Sequence, residues 1–526
     1  MNHRLAAVLS LVFASAALSS CGGGSGITPP PPSGSFSSAS LHGQYAFSLN
    51  GVDLNGAYIA RIGSFTADGA GSITSGLEDV LALGSGQPAS TVSFTGGTYQ
   101  IQPNGRGTLT LNAAGGALQM SLVMQSAANG YAIQTDLAAS TSGTFTQQTS
   151  TDFNAAALAN PYVFGASGLS FANSNAAPLS LLGKIVADGN GNITSGVIDT
   201  NDGNASAPSG ATPVSTGTYA LDTNGNGTNF GRGTMTFNAR TFAFYIVDAT
   251  HFEILEEDGL GGSSGEALQQ TGAIPTQNSE FTGSFVYLIG GVSSLGSQGP
   301  IARGGRFTAD GNGGISSISF DDNSDGTYRH ISQGSNISAA TYTIDSTNAG
   351  SGRGSFTFTD SGGGTYADVF YLRSATQAMV QETTKGIVGT GSMYAQTGSP
   401  FTVAASAGTY VSNWTGVQLG TNSAIPFEED FVNQFTLSNA NSSNIAGAVD
   451  YVELGLSSKT LFTSVGLGGT LTIDKDGTNN NLYKFAVAGS PSITINFQAY
   501  FANPSTVLLI CSDSIRTTAG VIHPQQ

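Results

Sequence analysis

The sequence predicts an all-β protein built from four tandem antiparallel domains, each of about eight strands in an up-and-down barrel. The first observation is a repeat: the string Gly63–Gly76 returns at Gly183–Gly196 and Gly305–Ile318. Its aspartates, Asp68, Asp188 and Asp310, are 120 and 122 residues apart. A period near 120 residues is too long for a solenoid unit and matches a whole domain.

Short runs of alternating apolar residues, rich in Thr, Val, Ile, Phe and Tyr, are the second observation, and they indicate strands. Asp-Gly between such runs is the third, because this pair favours a hairpin turn. Eight strands within about 110 residues would close a barrel without free edges. A two-sheet sandwich is the alternative. In the first copy the runs cover 44–49, 57–67, 72–80, 91–102, 108–112, 118–125, 131–137 and 143–148.

A second marker, Gly-Arg-Gly, follows each hairpin at Arg106, Arg232 and Arg353, and a Thr-Tyr pair precedes each arginine. The fourth copy lacks Gly-Arg-Gly and has Asn433–Asn441 in place of the hairpin. Because both markers vanish together, we predict that each arginine pairs within its own domain. The predicted pairs are Asp68 with Arg106, Asp188 with Arg232, and Asp310 with Arg353. An anion-binding loop around each arginine is the alternative.

The N-terminal segment has a basic start at His3 and Arg4, an apolar run to Leu18, and then Ser19-Ser20-Cys21. This pattern resembles the signal peptide and lipobox of bacterial lipoproteins. The resemblance implies that 1–20 is removed and that Cys21 carries a diacylglycerol anchor. Gly22 follows the cysteine where inner-membrane lipoproteins often have Asp, so the family rule implies the outer membrane.

The remaining domain boundaries follow from the repeats. A Gly- and Pro-rich tether covers 21–40, because such sequences form flexible or extended linkers. The body resembles tandem β-repeat envelope lipoproteins, and the start of each copy resembles lipocalin-like and avidin-like barrels. Those families favour tryptophan in the first strand, whereas the single tryptophan here is Trp414. We place the repeats at 41–150, 151–275, 276–402 and 403–526, the last being degenerate.

Composition excludes some partners and sites. The chain carries a formal charge of −17 with only 9% charged residues, so it should not bind nucleic acid. The histidines of the repeats occupy unmatched positions, which excludes a repeated histidine-built metal site. With Cys21 lipidated, Cys511 has no disulfide partner, and its apolar surroundings predict a buried thiol.

One segment has the spacing of a calcium loop. Asp321, Asn323 and Asp325 provide the first three positions, but Ser332 replaces the glutamate expected at the twelfth. The pattern indicates at most a weak calcium site, and a polar hairpin turn is the alternative. No other cofactor is expected.

These observations predict a lipid-anchored envelope protein that acts as a binding or structural module and is not an enzyme. One alternative is a small-ligand carrier of the lipocalin or avidin type, which would need a cavity of roughly several hundred Å³ inside each barrel. The second alternative is an envelope hydrolase, which would need a carboxylate pair or a nucleophile and base that the sequence does not display.

Overall fold

The computed structural model describes 34–83, 89–171, 176–205, 207–293, 299–332, 337–419, 427–439, 444–455, 458–473, 481–488 and 493–526. The predicted signal peptide, most of the predicted tether and Cys21 lie outside the described residues. Four antiparallel sheets follow one another along the chain. The predicted all-β class and its four tandem barrel-like domains are confirmed.

The first sheet is a closed eight-stranded barrel in which each strand pairs with the next and β8 returns to β1. All eight runs predicted for this copy form strands. Closure of the sheet rules out the sandwich alternative here. The strands are β1 (His42–Asp53), β2 (Tyr58–Asp68), β3 (Ser72–Ala82), β4 (Ser90–Ile101), β5 (Arg106–Ala113), β6 (Gly116–Met124), β7 (Asn129–Gln134) and β8 (Ala139–Gln147).

The second barrel repeats this meander with its fourth strand divided in two, because β11 pairs with both β12 and β13. The pairing of β10 with β11 completes the circle. Its elements are β9 (Pro161–Ser170), β10 (Ala177–Ala187), β11 (Asn192–Asp202), β12 (Ser209–Val214), β13 (Gly217–Leu221), α1 (Asn226–Phe230), β14 (Arg232–Phe237), β15 (Arg240–Asp248), β16 (His251–Glu256) and β17 (Gly261–Gln269).

The third sheet is divided at the same place, and a bridge between Gly314 and Thr341 joins its two sides. Its strands are β18 (Thr282–Ser293), β19 (Gly299–Asp310), β20 (Ile315–Ser324), β21 (Thr327–Ser332), β22 (Ile337–Ile344), β23 (Arg353–Asp360), β24 (Thr365–Ser374), β25 (Gln377–Glu382) and β26 (Ile387–Ala395).

The degenerate fourth copy still forms a closed eight-stranded barrel. Its strands are β27 (Gly408–Gln418), β28 (Phe427–Leu437), β29 (Ile445–Gly455), β30 (Ser458–Thr472), β31 (Asn481–Val487), β32 (Ile493–Asn503), β33 (Thr506–Cys511) and β34 (Arg516–Pro524).

The interior of each barrel is packed with large side chains. In the fourth barrel, Trp414 is fully buried, with ring centroids 4.5 Å from Phe485 and 5.1 Å from Phe497. Comparable aromatic and aliphatic clusters fill the other three barrels. These interiors differ from the hollow barrels of ligand carriers, which keep a cavity for the ligand.

A short 3₁₀ helix precedes the first strand of the first three barrels and covers the end at which that strand begins, here called the lower end. These helices are Ser38–Ser40, Ala155–Leu158 and Asn278–Glu280. The tyrosine of each repeated Thr-Tyr pair donates to a carbonyl in or beside the helix: Tyr99 to Leu41 at 2.8 Å, Tyr219 to Ala155 at 3.1 Å and Tyr342 to Phe281 at 2.9 Å. This contact explains why the pair recurs.

Successive barrels pack through one repeated contact: strands at the start of one barrel lie against strands near the end of the next. Each contact has an apolar cluster, and we call the contacts seams one to four. The fourth barrel packs on the first in the same way, so the four barrels close into a ring. The clusters are Ala60, Ile62, Leu77 and Leu81 with Ala243, Tyr245 and Leu255; Val163, Leu182 and Val197 with Val369, Tyr371 and Met379; Val286 and Ala302 with Tyr500, Ala502, Leu508 and Ile510; and Val411, Val432 and Val452 with Val123, Tyr131 and Ile133.

When each unit contacts the next through the same pair of surfaces, the units form a closed ring if the successive rotations add up to a full turn. In such a ring, equivalent ends of the four barrels lie on one face. The two ends of the described chain also lie together on this lower face. The Phe36 amide donates to Pro103 at 3.2 Å, and the Gln525 side-chain amide donates to the carbonyls of Asn104 and Met124, each at 2.8 Å.

Because the ring closes and these ends are neighbours, a circular permutant should fold. We expect that joining Gln526 to Gly34 through a short Gly-Ser linker, and opening the chain between Gly272 and Ala273, preserves a monomer with one cooperative melting transition.

Deleting the fourth barrel should instead expose the apolar faces of seams three and four and cause aggregation. Size-exclusion chromatography and thermal melting compare the two. A well-behaved three-barrel deletion would contradict a closed ring.

Candidate functional site: the seams and the ring axis

The repeated aspartates cap their own hairpins. Asp68 Oδ1 accepts hydrogen bonds from the amides of Ala70 and Ser72 at 2.7 and 2.9 Å. Asp188 and Asp310 make the same pair of contacts within their own turns. These backbone hydrogen bonds lower the pKa of Asp68. The aspartates therefore serve local turn geometry, as short polar side chains commonly do.

The repeated arginines cross the seams, so the predicted pairing of each with the hairpin aspartate of its own domain is wrong. Arg232 donates through Nε and Nη2 to Asp79 of the first barrel, at 2.7 and 2.9 Å. Arg353 donates in the same way to Asp199 of the second barrel, at 2.8 Å for both contacts. Such two-point contacts between a guanidinium and a carboxylate fix geometry as well as charge.

Arg106 extends this pattern around the closed ring. It pairs with Asp450 of the fourth barrel, more than three hundred residues away. Asp68 and Arg106 do lie at the same end of the first barrel, but two strands separate β2 from β5. The arginines therefore contact carboxylates at seams one, two and four, and two of them also pair within their own barrel, Arg232 with Asp222 and Arg353 with Asp345.

The seam carboxylates are equivalent residues that the sequence analysis missed. Asp79, Asp199 and Asp321 each follow the repeated hairpin isoleucine by six residues, and Asp450 occupies the corresponding strand β29. This constant spacing from the hairpin isoleucine is a sequence signal that could have identified the three aspartates as equivalent. All four are almost completely buried, so each requires hydrogen-bond donors, and at least one donor of each comes from the neighbouring barrel.

A tyrosine completes three of these sites. Tyr245 donates to Asp79 at 2.8 Å, Tyr371 donates to Asp199 at 2.7 Å, and Tyr500 donates to Asp321. In the first barrel the corresponding position, opposite Arg106 on β6, is Val123. Seam four therefore has the arginine without the tyrosine.

Seam three has the tyrosine, and a histidine of the third barrel supplies its cation. His330 Nδ1 lies 2.8 Å from Asp321 Oδ1. The hydrogen bond to Asp321 raises the pKa of His330, although partial burial opposes this shift. Tyr328 also donates to Asp321, at 2.5 Å. The cation of seam three is thus an imidazole, whose charge depends on pH.

The proposed calcium ligands have other partners. Asp321 and Asn323 lie on strand β20, where alternate residues extend along the strand and do not encircle an ion. The Asn323 amide donates to the carbonyls of Cys511 and Arg516 across seam three, each at 2.7 Å. Asp325 lies in the following turn with φ of +50°. This arrangement is not the geometry of a calcium loop.

Each barrel also buries an ion pair near its upper end, opposite the 3₁₀ helix. The most deeply buried is Arg516 with Glu429, whose atoms Nε and Oε2 are 3.0 Å apart. Burial raises the pKa of Glu429, and the charge of Arg516 opposes that shift. The other pairs are Arg61 with Glu78, Arg240 with Glu256, and Arg303 with Asp322 and Glu382.

Cys511 is completely buried and unpaired, and burial raises the pKa of its thiol. Among the residues that the structure describes, no group of three or more His, Cys, Asp or Glu side chains is arranged to hold a metal ion. Within the same residues, no helix has the length and apolar character needed to cross a membrane.

A cavity of about 350 Å³ lies where the first three barrels meet. Because barrels one and three are opposite each other, a cavity that both line lies on the ring axis. The last strands, β17 and β26, contribute Ser264, Glu266 and Leu268, and Thr390, Ser392 and Tyr394. Strands β9 and β25 provide much of the remaining wall, and Asn50 comes from the first barrel.

Charged groups of both signs border this cavity. Glu266 Oε2 is 3.2 Å from His251 Nε2, which is also 3.3 Å from Glu253 Oε1. Burial alone would lower the pKa of His251, but the two carboxylates raise it to about 10. Arg373 donates to the Gln377 side chain at 3.1 Å and to the Gln269 carbonyl at 3.4 Å. The cavity thus combines a carboxylate, a guanidinium and several hydroxyl groups.

Comparisons with known proteins identify no family. No family model matches the chain, and no curated protein matches it. Among solved structures, one similar chain is described as "The Structure of Intact Ap-TbpB (N and C lobes)". It is 8% identical, with 76% of this chain and 83% of that chain covered and a TM-score of 0.17. A TM-score of this size carries no argument about the present protein.

The seam pairing predicts a large cost for removing one arginine. Arg232→Gln should lower the free energy of unfolding by about 3–5 kcal/mol, because it leaves the buried Asp79 without its cation. Asp68→Asn is the matched control, since Asp68 only caps its exposed hairpin, and it should have a much smaller effect. Urea denaturation measures both. Equal effects of the two substitutions would show that the seam ion pair does not stabilise the ring.

The His330–Asp321 contact predicts a pH dependence. Because the folded-state pKa of His330 is raised, its stabilisation is complete below the unfolded value of about 6.5 and is lost as pH rises through the folded value. For this partly exposed pair we expect a loss of about 1 kcal/mol or less. Denaturation across this range should show a smaller loss in His330→Gln than in wild type, while His42→Gln, a change at an exposed site, should show the wild-type loss. An unchanged slope in His330→Gln would refute the assignment.

Proposed function

We propose that this protein is a lipid-anchored module of the bacterial cell envelope, placed at the outer membrane, that binds or supports a partner and catalyses no reaction. The observation that carries the proposal is the closed ring with both ends of the described chain on its lower face. An anchor at Cys21 would hold that face toward the membrane. The upper face would then be presented to the partner.

The way the chain uses its charged residues supports a non-catalytic role. Arginines are few, and most of those in the described residues hold seam carboxylates or close the upper end of a barrel. Catalytic acids and bases, in contrast, need access to a substrate. Aromatic packing of the interiors argues against the lipocalin-type carrier, which would hold its ligand inside a barrel.

The rigidity of the ring supports a scaffold or binding platform. Four seams, each with an apolar cluster and a buried carboxylate, restrain every barrel on two sides. A large hydrophobic contact of this kind opposes relative motion of domains. A partner would therefore meet a surface of constant geometry, which reduces the entropy lost on binding.

Lipidation of Cys21 is tested by metabolic labelling with palmitate. Wild type should be labelled and should fractionate with membranes, whereas Cys21→Ala should be unlabelled and should accumulate as precursor or soluble protein. Cys511→Ala is the matched control and should be labelled as wild type, because that thiol is buried in the fourth barrel. Continued labelling and membrane fractionation of Cys21→Ala would refute the anchor.

A further inference from the structure

We propose that the axial cavity binds a small zwitterion, an amino acid or a short peptide, with its carboxylate at Arg373 and its ammonium at Glu266. This inference rests on the proposed function, in that it supplies the ligand class of the binding module. It concerns a site between barrels and not the interior of any barrel.

The charged groups of Arg373 and Glu266 border the same cavity but do not form an ion pair with each other. Arg373 and Glu266 both line the cavity, and neither is the ion-pair partner of the other within 4 Å. Arg373 uses two of its five N–H donors on neutral acceptors, Gln377 and Gln269. The Glu266 side chain is 45% exposed and contacts His251 through Oε2. A guanidinium and a carboxylate so placed can each form charge-assisted hydrogen bonds with a bridging ligand.

The balance of charge selects a zwitterion over a simple ion. Among the lining residues, Arg373 provides the cation and Glu266 the anion, so the charged part of the wall is neutral overall. A ligand with one charge would use only one of these two groups. A zwitterion matches both ends, and its attraction is stronger in a partly enclosed space than in bulk water.

The rest of the wall suits an amino acid better than a sugar. Leu182 and Met379 provide an apolar surface for an aliphatic side chain, while Thr390 and Ser392 provide hydroxyl groups for a peptide amide. The volume of about 350 Å³ lies at the lower end of the range for small-molecule sites, roughly 300–1,000 Å³. A neutral sugar would use the two charges only as hydrogen-bonding groups.

Glycine makes room for this site. The residue opposite Glu266 on β9 is Gly165, and a Cβ there would lie 3.2 Å from Met379 Sδ. A side chain at Gly165 would therefore press on the apolar wall of the cavity. The register also sets Ser392 opposite Leu288 of β18, so the polar wall is backed by a packed sheet. The site is formed by strands and not by loops, and this favours precise placement of its groups.

Isothermal titration calorimetry of the purified full chain in detergent, with L-alanine and L-alanyl-L-alanine as probes, tests the proposal. We expect saturable binding of at least one probe, and no comparable binding of acetate, methylamine or glucose. Arg373→Gln and Glu266→Gln should each weaken binding about tenfold or more, since each removes a charge-assisted contact. Arg329→Gln and Glu280→Gln, which change charges outside the cavity, are the matched controls and should bind as wild type.

Ser392→Phe tests the site in a second way, because the larger side chain fills the cavity without changing its charge. This substitution should abolish binding, and thermal melting checks that the variant is folded. Failure of both probes to bind wild type would overturn the proposal. Binding of glucose without either probe, or of acetate as tightly as L-alanine, would also overturn it, in favour of a sugar or an anion site. None of these results bears on the Cys21 anchor, which palmitate labelling tests separately.

Discussion

A buried carboxylate that accepts a hydrogen bond from the neighbouring barrel is the constraint on which the rest of this structure depends. Asp79, Asp199, Asp321 and Asp450 occupy equivalent strands and are buried at the four seams. A charge removed from water in this way is tolerated only when paired and hydrogen-bonded. Each barrel is therefore incomplete without the next, and the fourth is completed by the first.

Apolar packing and charge pairing have different roles at the seams. The aliphatic clusters provide the area removed from water, which is non-directional and would accept several registers. The two-point contact from arginine to aspartate at seams one and two accepts very few, because two guanidinium nitrogens must meet one carboxylate. Apolar packing and charge pairing together fix how neighbouring barrels meet, and the four contacts close the ring around its axial cavity.

The seams are equivalent in position but not in chemistry. Seams one and two have an arginine and a tyrosine, seam four has the arginine with Val123 in place of the tyrosine, and seam three has Tyr500 with His330 as the cation. The residues around the ring axis also differ between copies, since the position of Glu266 in the second barrel is occupied by Ser392 in the third. Divergence among the copies has thus created one charged cavity within a nearly symmetric frame.

Much of the fold could be predicted from the amino-acid sequence. Alternating apolar residues and Asp-Gly turns act between neighbours in the chain, so about eight strands per copy and a barrel-like sheet followed from local patterns, whereas the division of the fourth strand in the second and third copies did not. The joint loss of hairpin aspartate and arginine from the fourth copy was also informative, but it led to the wrong partner. Both residues mark a complete repeat, Asp68 within its own turn and Arg106 at a seam. Joint loss does not require contact.

By itself, the sequence determined the all-β class, the four copies, the local turns and the burial of Cys511, because backbone hydrogen bonding and side-chain alternation set these within each copy. Only the tertiary structure decided that the copies close into a ring, which carboxylate each arginine meets, and that a cavity lies on the axis. Those outcomes depend on the angle at which one barrel packs on the next. That angle arises from surfaces assembled from strands far apart in the chain, and no local pattern encodes it.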